Sequence, residues 1–293
     1  MPITFIKGMC RSFARSHPRS GPAGLATGVL RRLAWLARGL DRDLKWRLGG
    51  LAVRLLGNKT TVEGCRFDLH HSLITDRTRT QLLLGRYEEA ERQAMAAFLP
   101  KDLPVVELGG SIGVVSCLAN TRLVRPSEHV VVEADPRLIG ILETNRSLNR
   151  CEFTIVNRAL GYGAREVCLY SRGDSQVGSA HRPEAGSTSV VVQTITLEDV
   201  VREADFPRFS LICDIEGEEI NLIRNEVSVL TASVAVLILE EHLETSGFKV
   251  IEDMKNRLMS GGFELAAQYD HVTVWRNRAL SASNGHSYPS RSA

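Results

Sequence analysis

The sequence predicts an α/β fold with a mostly parallel, doubly wound sheet. From about residue 104, apolar strand-like segments alternate with helix-like segments, which is typical of successive βαβ units. Two final strand-like segments, 263–269 and 271–277, follow each other without a helix and predict an antiparallel edge strand. The chain of 293 residues is 43% apolar and 24% charged, which is enough for a sizeable core.

Basic residues are concentrated at the start of the chain. Residues 1–60 contain twelve Lys and Arg but only two acids, Asp41 and Asp43, so the remainder is net acidic. An acidic main domain without interleaved aromatic and basic residues argues against nucleic acid as a partner. We divide the chain into four parts: a basic, partly helical N-terminal extension (1–60), lead-in strands and a helix (61–100), the main domain (101–278) and a disordered tail (279–293).

Leucines recur every three or four positions in the N-terminal extension, which is the period of a helix. They are Leu33, Leu36, Leu40, Leu44, Leu48, Leu51 and Leu55. Because Arg and Lys lie between them, residues 25–57 fit two alternatives: a helix on an anionic membrane surface, or a helix packed on the main domain or on a partner. We expect Gly39, Gly49 and Gly50 to interrupt this helix, which favours the second alternative.

The six cysteines are scattered without a CxxC spacing. This indicates thiols in a reducing compartment rather than disulfides or a zinc site. The sequence has no run of about 18 apolar residues, as a membrane span needs, and no apolar core of a secretory signal. We expect a cytoplasmic protein, with peripheral membrane contact through residues 25–57 as the alternative. The sequence does not specify an oligomeric state.

The elements are expected in the following order. Short strands lie within 60–80, and the segment RYEEAERQAMAAFLP (86–100) is a helix. Apolar strands follow at 104–108, 129–134, 152–160, 210–215 and 234–242, with helices to about Leu123, over 136–148, to about Leu230 and over 252–259. The Gly/Ser-rich stretch 171–189 is expected to form a loop on the substrate side.

The segment VVELGGSIGVVS (105–116) joins the first of these apolar strands to a helix. Gly109, Gly110 and Gly113 allow a tight turn and a close approach of the backbone to a ligand. The spacing is neither the G-x-G-x-x-G of a dinucleotide site nor the G-K-[ST] of a P-loop. Glu107 would oppose a pyrophosphate there but suits the positively charged head of S-adenosylmethionine. An ordinary strand-to-helix turn is the structural alternative.

Glu133 ends the next strand, 26 residues after Glu107. A carboxylate at this place accepts hydrogen bonds from the hydroxyls of a ribose. NAD and S-adenosylmethionine both carry a ribose, so Glu133 predicts a nucleoside without choosing between them. Asp135 and Pro136 have the pattern of a helix N-cap and first helical residue, which makes a structural role the expectation for Asp135.

The segment LICDIEGEEINLI (211–223) places acids after a later apolar strand. In an extended chain Asp214 and Glu216 point to the same side, and Gly217 allows a sharp turn. Carboxylates there can accept a proton from a substrate hydroxyl or orient it. Glu218 and Glu219 are explained by the helix dipole, which favours acids in the first turn.

In this ordered series of segments, residues 85–276 resemble the FkbM-type family of S-adenosylmethionine-dependent methyltransferases. The resemblance rests on RYEEAE, VVELGGSIGVVS, VVVEADP, LETNRSLN, NRALG, QTITLEDV, CDIEGEEINLI and LILEEH. It implies the Rossmann-like class I methyltransferase fold with seven strands. It also implies O-methylation of a hydroxyl, on a sugar, lipid-linked or natural-product acceptor.

The resemblance also implies roles by position. Glu107, Gly109 and Gly113 would line the methionine part of the cofactor, Glu133 would hold the ribose, and Asp214, Glu216 and Glu240 would face the reacting centre. The chain departs from the family pattern in three places. Glu107 replaces an Asp, Gly110-Ser111 replace Ala-Asn, and Asn157-Arg158 stand where an adenine-reading acid is common. Backbone groups near Ala159 are the remaining candidate for adenine.

Asp214 is the first candidate for the base that takes the hydroxyl proton, with Glu240 and His242 behind it. No His/Cys/Asp spacing resembles a metal cage, although Asp214 with Glu240 offers oxygen ligands for a divalent ion. Two other functions stay open: a nicotinamide-dependent oxidoreductase, which the absent G-x-G-x-x-G and Glu107 disfavour, and a non-catalytic scaffold that keeps a methyltransferase fold. The acceptor class is a small molecule, glycan or lipid.

Overall fold

The computed structural model of this chain describes residues 41–171, 178–179 and 188–281. The start of the predicted N-terminal extension (1–40), most of the Gly/Ser-rich loop and the tail from 282 lie outside the described residues. The described part of the N-terminal extension and the lead-in region together form five elements: helix α1 (Arg42–Leu55), strands β1 (Lys59–Val62) and β2 (Cys65–Asp68), and helices α2 (Asp76–Leu84) and α3 (Glu89–Phe98).

The main domain alternates strands and helices, as predicted. Its first half contains β3 (Val105–Leu108), α4 (Val114–Asn120), β4 (His129–Glu133), α5 (Pro136–Leu148), β5 (Thr154–Asn157), β6 (Ala159–Leu160), β7 (Glu166–Ser171) and β8 (Gly178–Ser179). Its second half contains β9 (Thr188–Ile195), α6 (Leu197–Ala204), β10 (Phe209–Cys213), α7 (Glu219–Ser233), β11 (Val234–Glu240), α8 (Leu243–Ser246), α9 (Phe248–Ser260), β12 (Phe263–Tyr269), β13 (Val272–Asn277) and α10 (Arg278–Ser281).

Seven strands form the main sheet in the order β12-β13-β11-β10-β3-β4-β5. The pairs β11–β10, β10–β3, β3–β4 and β4–β5 are parallel, whereas β13 runs antiparallel to both of its neighbours. The predicted doubly wound sheet with an antiparallel hairpin at one edge is therefore confirmed. Strands β6, β9, β7 and β8 form a smaller second sheet.

Two hydrophobic cores cover the two faces of the main sheet. Successive residues of β3 alternate between them: Val105 packs in one core, and Val106 and Leu108 pack in the other. Glu107 thus points to the same face as Val105, the face that α4 and α5 cover. This alternation decides to which face of the sheet Glu107 points.

Helix α1 continues through Gly49 and Gly50, so the expectation that these glycines interrupt it was wrong for the described part. A Cβ on Gly49 would lie 2.2 Å from Thr80 Oγ1, and one on Gly50 would lie 2.2 Å from Asp76 Oδ1. The glycines therefore let α1 pack closely on α2. The leucine face points elsewhere, since Leu44, Leu48, Leu51 and Leu55 are 43–80% exposed.

The main departures from the sequence prediction concern two strands and one helix. The strand expected over 152–160 is divided at Arg158, where the chain leaves the main sheet for the second one. The strand expected over 210–215 ends at Cys213. Helix α2 was not predicted, although Thr75 caps its start and Gly85, at φ +69°, ends it. No helix of the described residues is long and apolar enough to cross a membrane.

Candidate functional site

A cavity of about 980 Å³ opens at the carboxyl ends of β3, β4, β10 and β11. Parallel α/β sheets bind ligands at this edge. The lead-in region forms the opposite wall, mainly through the segment before and at the start of α3. Of the residues predicted to form the site, those that line the cavity are Gly109, Glu133, Ala159, Asp214, Glu216, Glu240 and His242.

Gly109 lies at the tightest point of the cavity wall. Its φ of +94° is one that residues with a side chain rarely adopt, and a Cβ there would lie 1.8 Å from the carbonyl oxygen of Asp214. The Gly109 N–H donates to the carbonyl of Val132 at 2.9 Å. Gly109 therefore holds β3, β4 and β10 together where the cavity begins.

Gly110 and Gly113 do not line the cavity. A Cβ on Gly110 would lie 2.5 Å from Val131 Cγ1, and one on Gly113 would lie 2.7 Å from Leu142 Cδ1. Both glycines accordingly let the turn after β3 pack against β4 and α5. The structure assigns a packing role to these two residues rather than the predicted contact with a cofactor.

Glu107 is also away from the cavity, because it points to the α4 face of the sheet. Its side chain is 1% exposed. Ser116 Oγ donates to Glu107 Oε1 at 2.7 Å, and His129 Nε2 lies 3.1 Å from Glu107 Oε2. In this conformation Glu107 joins β3 to β4 and α4, and it does not face a ligand as the sequence analysis expected.

Glu133 lies at the end of β4, as expected, and its carboxylate is held by the chain itself. The backbone N–H of Ser111 donates to Oε2 at 2.6 Å, and that of Asp135 donates to Oε1 at 2.7 Å. Glu133 is 7% exposed. Burial raises its pKa to about 7, against the opposing effect of the two backbone hydrogen bonds. Each oxygen keeps a lone pair for a further donor.

The structure also shows the roles of the residues around Glu133. Asp135 caps α5, since its Oδ1 accepts from the Arg137 N–H at 2.9 Å, which agrees with the structural role expected for it. The side-chain amide of Asn157 donates to the carbonyl of Glu133 at 2.8 Å, so it closes the strand end. Ala159 and Arg158 line the cavity beside it.

The predicted catalytic residues meet around His242. The Nε2 atom of His242 lies 3.4 Å from Asp214 Oδ1, 3.5 Å from Glu216 Oε2 and 4.0 Å from Glu240 Oε1. Its Nδ1 atom lies 3.0 Å from Glu219 Oε1. Asp214 and Glu216 come together through a turn rather than an extended chain, because Glu216 and Gly217 have φ of +55° and +106°.

Glu219 is a residue that sequence reasoning assigned to the helix dipole alone. Its side chain is 3% exposed, and its Oε1 accepts from the Ile215 N–H at 2.9 Å while it faces His242. It thus fixes both the turn after β10 and the imidazole ring. The dipole explanation accounts for the position of Glu219 at the helix start and omits its contact with His242.

The charges around His242 decide its protonation. Burial opposes a charged ring, but the hydrogen bond and the negative charge of Glu219, with the charges of Asp214 and Glu216, raise the pKa of His242 to about 10. His242 is therefore an imidazolium at neutral pH. In that state it cannot accept a proton, and it acts as the counter-ion of the surrounding carboxylates.

The carboxyl group of Asp214, unlike the ring of His242, is suited to accept a proton. Burial and the charge of Glu240 raise its pKa well above the ordinary value, and burial likewise raises the pKa of Glu240. A carboxylate with a raised pKa is a stronger base near neutral pH. This supports Asp214 and Glu240, ahead of His242, as proton acceptors.

The start of α3 adds two acids that the sequence analysis did not select, Glu88 and Glu91. Oxygen atoms of Glu88, Glu91 and Asp214 all lie within 4.8 Å of one another. Burial, with the charges of neighbouring carboxyls, raises the pKa of Glu88 and of Glu91 well above the ordinary value. The segment RYEEAE contained the signal, but nothing in the local sequence shows that its acids face Asp214.

No family model matches the sequence, and no curated protein matches it significantly. Solved structures similar to this chain include a protein of the NADB-Rossmann superfamily from Streptococcus agalactiae, at 11% identity and a TM-score of 0.40, over 64% of this chain and 67% of the other. Fibrillarin from Aeropyrum pernix with bound S-adenosyl-L-methionine is 14% identical with a TM-score of 0.39, over 65% and 74%.

Precorrin-6y C5,15-methyltransferase from Geobacter metallireducens is 13% identical with a TM-score of 0.37, over 64% of this chain and 85% of the other. At such identities and TM-scores these likenesses carry no argument about activity.

Four residues that line the cavity have a backbone conformation unusual for a residue with a side chain. They are Glu88, Ser111, Glu216 and Asp270, with φ of +47°, +45°, +55° and +53°. Such conformations cost on the order of 1–3 kcal/mol each and concentrate at functional sites. Together with the buried acids, they indicate a cavity arranged for a ligand. A wall of this composition suits a cationic ligand better than a pyrophosphate.

Proposed function

We propose that this chain is an S-adenosylmethionine-dependent methyltransferase of FkbM type that methylates a hydroxyl oxygen. One observation carries the proposal: an acid-lined cavity at the carboxyl edge of the sheet, with Glu133 at the end of β4. These acids would repel the negative charge of a pyrophosphate, whereas they would attract the positive charge of a sulfonium nucleoside.

The residues fit the cofactor in two places. Glu133 has a free lone pair on each carboxylate oxygen for the ribose hydroxyls, and it lines the cavity. Gly109 leaves the backbone open beside Asp214, where the methionine part would lie. Backbone groups near Ala159 are proposed to contact the adenine.

S-adenosylmethionine, when bound, supplies a methyl carbon attached to a positively charged sulfur. Asp214, with Glu240 beside it, orients the acceptor hydroxyl and takes its proton. The deprotonated oxygen would then be the nucleophile for the methyl group that bound S-adenosylmethionine would supply. Because this is an in-line displacement, positioning contributes much of the rate. His242 holds the carboxylates in place as their counter-ion.

Calorimetry with the full chain tests the cofactor. We expect S-adenosylmethionine and S-adenosylhomocysteine to bind with one site per chain, and NADH not to bind. Binding of NADH alone would favour the oxidoreductase. Binding of S-adenosylhomocysteine without transfer of a labelled methyl group to any fraction of sugars, lipids or proteins would favour the scaffold. Failure of both nucleosides to bind would overturn the proposal.

We propose a glycan, lipid-linked or small-molecule acceptor, and a cytoplasmic enzyme that contacts membranes through α1. The exposed leucines Leu44, Leu48 and Leu51 support the membrane contact, since arginines such as Arg47 flank them. Flotation with anionic and zwitterionic vesicles tests it. We expect binding to anionic vesicles that is weakened by Leu48→Ser with Leu51→Ser. Equal binding of this variant and the unchanged chain would contradict the contact.

A further inference from the structure

The carboxyl group of Glu91 has no partner among the described residues. Glu91 is 3% exposed and lines the cavity, and it makes no hydrogen bond or ion pair with another of the described residues. Burying a carboxyl without a partner costs free energy, so a folded protein rarely keeps one without a reason. The dipole of α3 explains its exposed neighbour Glu89 but does not require Glu91 to face inward.

Glu91 points into a group of oxygens rather than into apolar packing. Oxygen atoms of Glu88, Glu91 and Asp214 lie within 4.8 Å of one another. Asp214 Oδ1 is itself fully buried and accepts no hydrogen bond from the described residues. The nearest cationic atom to it is His242 Nε2, at 3.4 Å, whose ring is already shared among four carboxylates.

We propose that Glu88, Glu91 and Asp214 bind one hard divalent cation of the magnesium, manganese or calcium class. All three ligand atoms are carboxylate oxygens, which these ions prefer. Ligands on opposite sides of Mg²⁺ are about 4.2 Å apart and those of Ca²⁺ about 5 Å apart. The three oxygens, all within 4.8 Å of one another, are therefore close enough to converge on one such ion after small shifts of their side chains.

The site joins two parts of the chain that are distant in sequence. Glu88 and Glu91 come from the lead-in region, and Asp214 follows β10. A bound ion would hold the start of α3 against the sheet edge and close the cavity on that side. Glu88, with its φ of +47° and no side-chain cap bond, already directs its side chain inward at the helix start.

The role of the ion rests on the proposed function, whereas its binding does not. If the chain methylates a hydroxyl, a cation beside Asp214 and Glu240 can bind the hydroxyl oxygen and lower its pKa, so that a carboxylate takes the proton more easily. The ion would then position the acceptor, and Asp214 would keep its second carboxylate oxygen for the proton.

The experiment uses full-length chain freed of metal with EDTA. Titration with Mn²⁺, followed by calorimetry and by the electron paramagnetic resonance of the free ion, is expected to give one site per chain. Mg²⁺ and Ca²⁺ should compete. Glu91→Gln should weaken Mn²⁺ binding by about 10- to 100-fold. Glu89→Gln, on the same helical turn but exposed, should change it by less than about twofold. Glu88→Gln provides a second variant should Glu91→Gln fold poorly.

S-adenosylhomocysteine is titrated into the same samples, so that the two proposals fail separately. Binding of the nucleoside with no saturable binding of any of the three ions up to about 1 mM would overturn the cation site and leave the proposed function. Binding of the ion without binding of the nucleoside would overturn the proposed function and leave the cation site. Equal Mn²⁺ affinity in Glu91→Gln and Glu89→Gln would place the ion elsewhere and also overturn the site.

Discussion

The carboxyl groups at the two ends of the cavity differ in their hydrogen-bond partners. At the end near the turn after β3, Glu133 receives two backbone hydrogen bonds, from Ser111 and Asp135. At the other end, Glu91 has no partner among the described residues and Asp214 Oδ1 accepts no hydrogen bond. The chain itself therefore satisfies the carboxylate at the first end, whereas the carboxyl groups at the second end face one another.

The largest effect is expected for Asp214→Asn, which alters the end where the carboxyl groups face one another. With an acceptor found by labelled transfer, turnover should fall by about 10²- to 10⁴-fold, because the amide cannot take a proton. The affinity for S-adenosylhomocysteine should stay within about threefold, since the carboxylate acts on the acceptor. Glu244→Gln, at the exposed rim, is the control. Unchanged turnover in Asp214→Asn would contradict its role as the base.

Gly109→Ala tests the close approach of the backbone at the end of the cavity near the turn after β3. The new Cβ would overlap the Asp214 carbonyl, and alanine is strained at a φ of +94°, so we expect a loss of about 3 kcal/mol in the free energy of unfolding. Urea denaturation measures it. Gly140→Ala is the control, because Gly140 is helical with nothing within 4 Å of an added Cβ, and alanine there should stabilise by about 0.5–1 kcal/mol. Equal effects of the two changes would contradict the close approach.

The fold was predictable where one local rule dominates. The apolar segment before Gly109 could only be a buried strand, and Asp135-Pro136 fixed the start of α5 to the residue. The places where strands end or are divided were not predictable from the local sequence. Arg158 ends a strand because β6 pairs with β9, and that pairing involves residues more than 30 positions away. For α2, the cap at Thr75 and the terminal Gly85 were present in the sequence but were not recognised.

The site was predictable only in part, for a related reason. Glu133 and Asp214 follow apolar strands, and parallel strands bring such ends together. Glu107 has the same local pattern, yet the alternation of β3 directs it to the opposite face from Leu108. Glu91 could not be found at all, because its contact with Asp214 joins segments more than 120 residues apart.

The buried acids Glu107 and Glu91 should respond with opposite signs when they are replaced by glutamine. Glu107→Gln leaves Ser116 or His129 with a poor partner and should cost about 1–3 kcal/mol of stability. Glu91→Gln removes a carboxyl that faces Glu88 and Asp214, and without divalent ions it should stabilise by about 1 kcal/mol. Urea denaturation in EDTA measures both. A loss in both variants would mean that Glu91, too, is satisfied by the chain.

The smallest effect is expected for Glu133→Gln, since glutamine keeps one acceptor for the ribose. The affinity for S-adenosylhomocysteine at pH 8 should fall about fivefold, or roughly 1 kcal/mol. The carboxyl of Glu133 has a pKa raised to about 7 by burial, with Asp135 and Glu107 as the nearest charged groups, so the affinity of the unchanged chain should increase from pH 6 to pH 8. Calorimetry at these pH values should show that Glu133→Gln has lost this increase.

The contribution of Glu133 to the stability of the folded chain also depends on pH, with the opposite sign. The folded chain keeps the Glu133 proton up to about pH 7, whereas an unfolded glutamate loses it near 4.5. The folded state therefore binds more protons between these values, and the contribution of Glu133 to stability decreases as the pH rises through them. A ribose that hydrogen-bonds the carboxylate should offset this decrease. If the ligand stabilises the chain equally at pH 6 and pH 8, Glu133 does not hold the ribose, and the end of the cavity near the turn after β3 would be a structural turn alone.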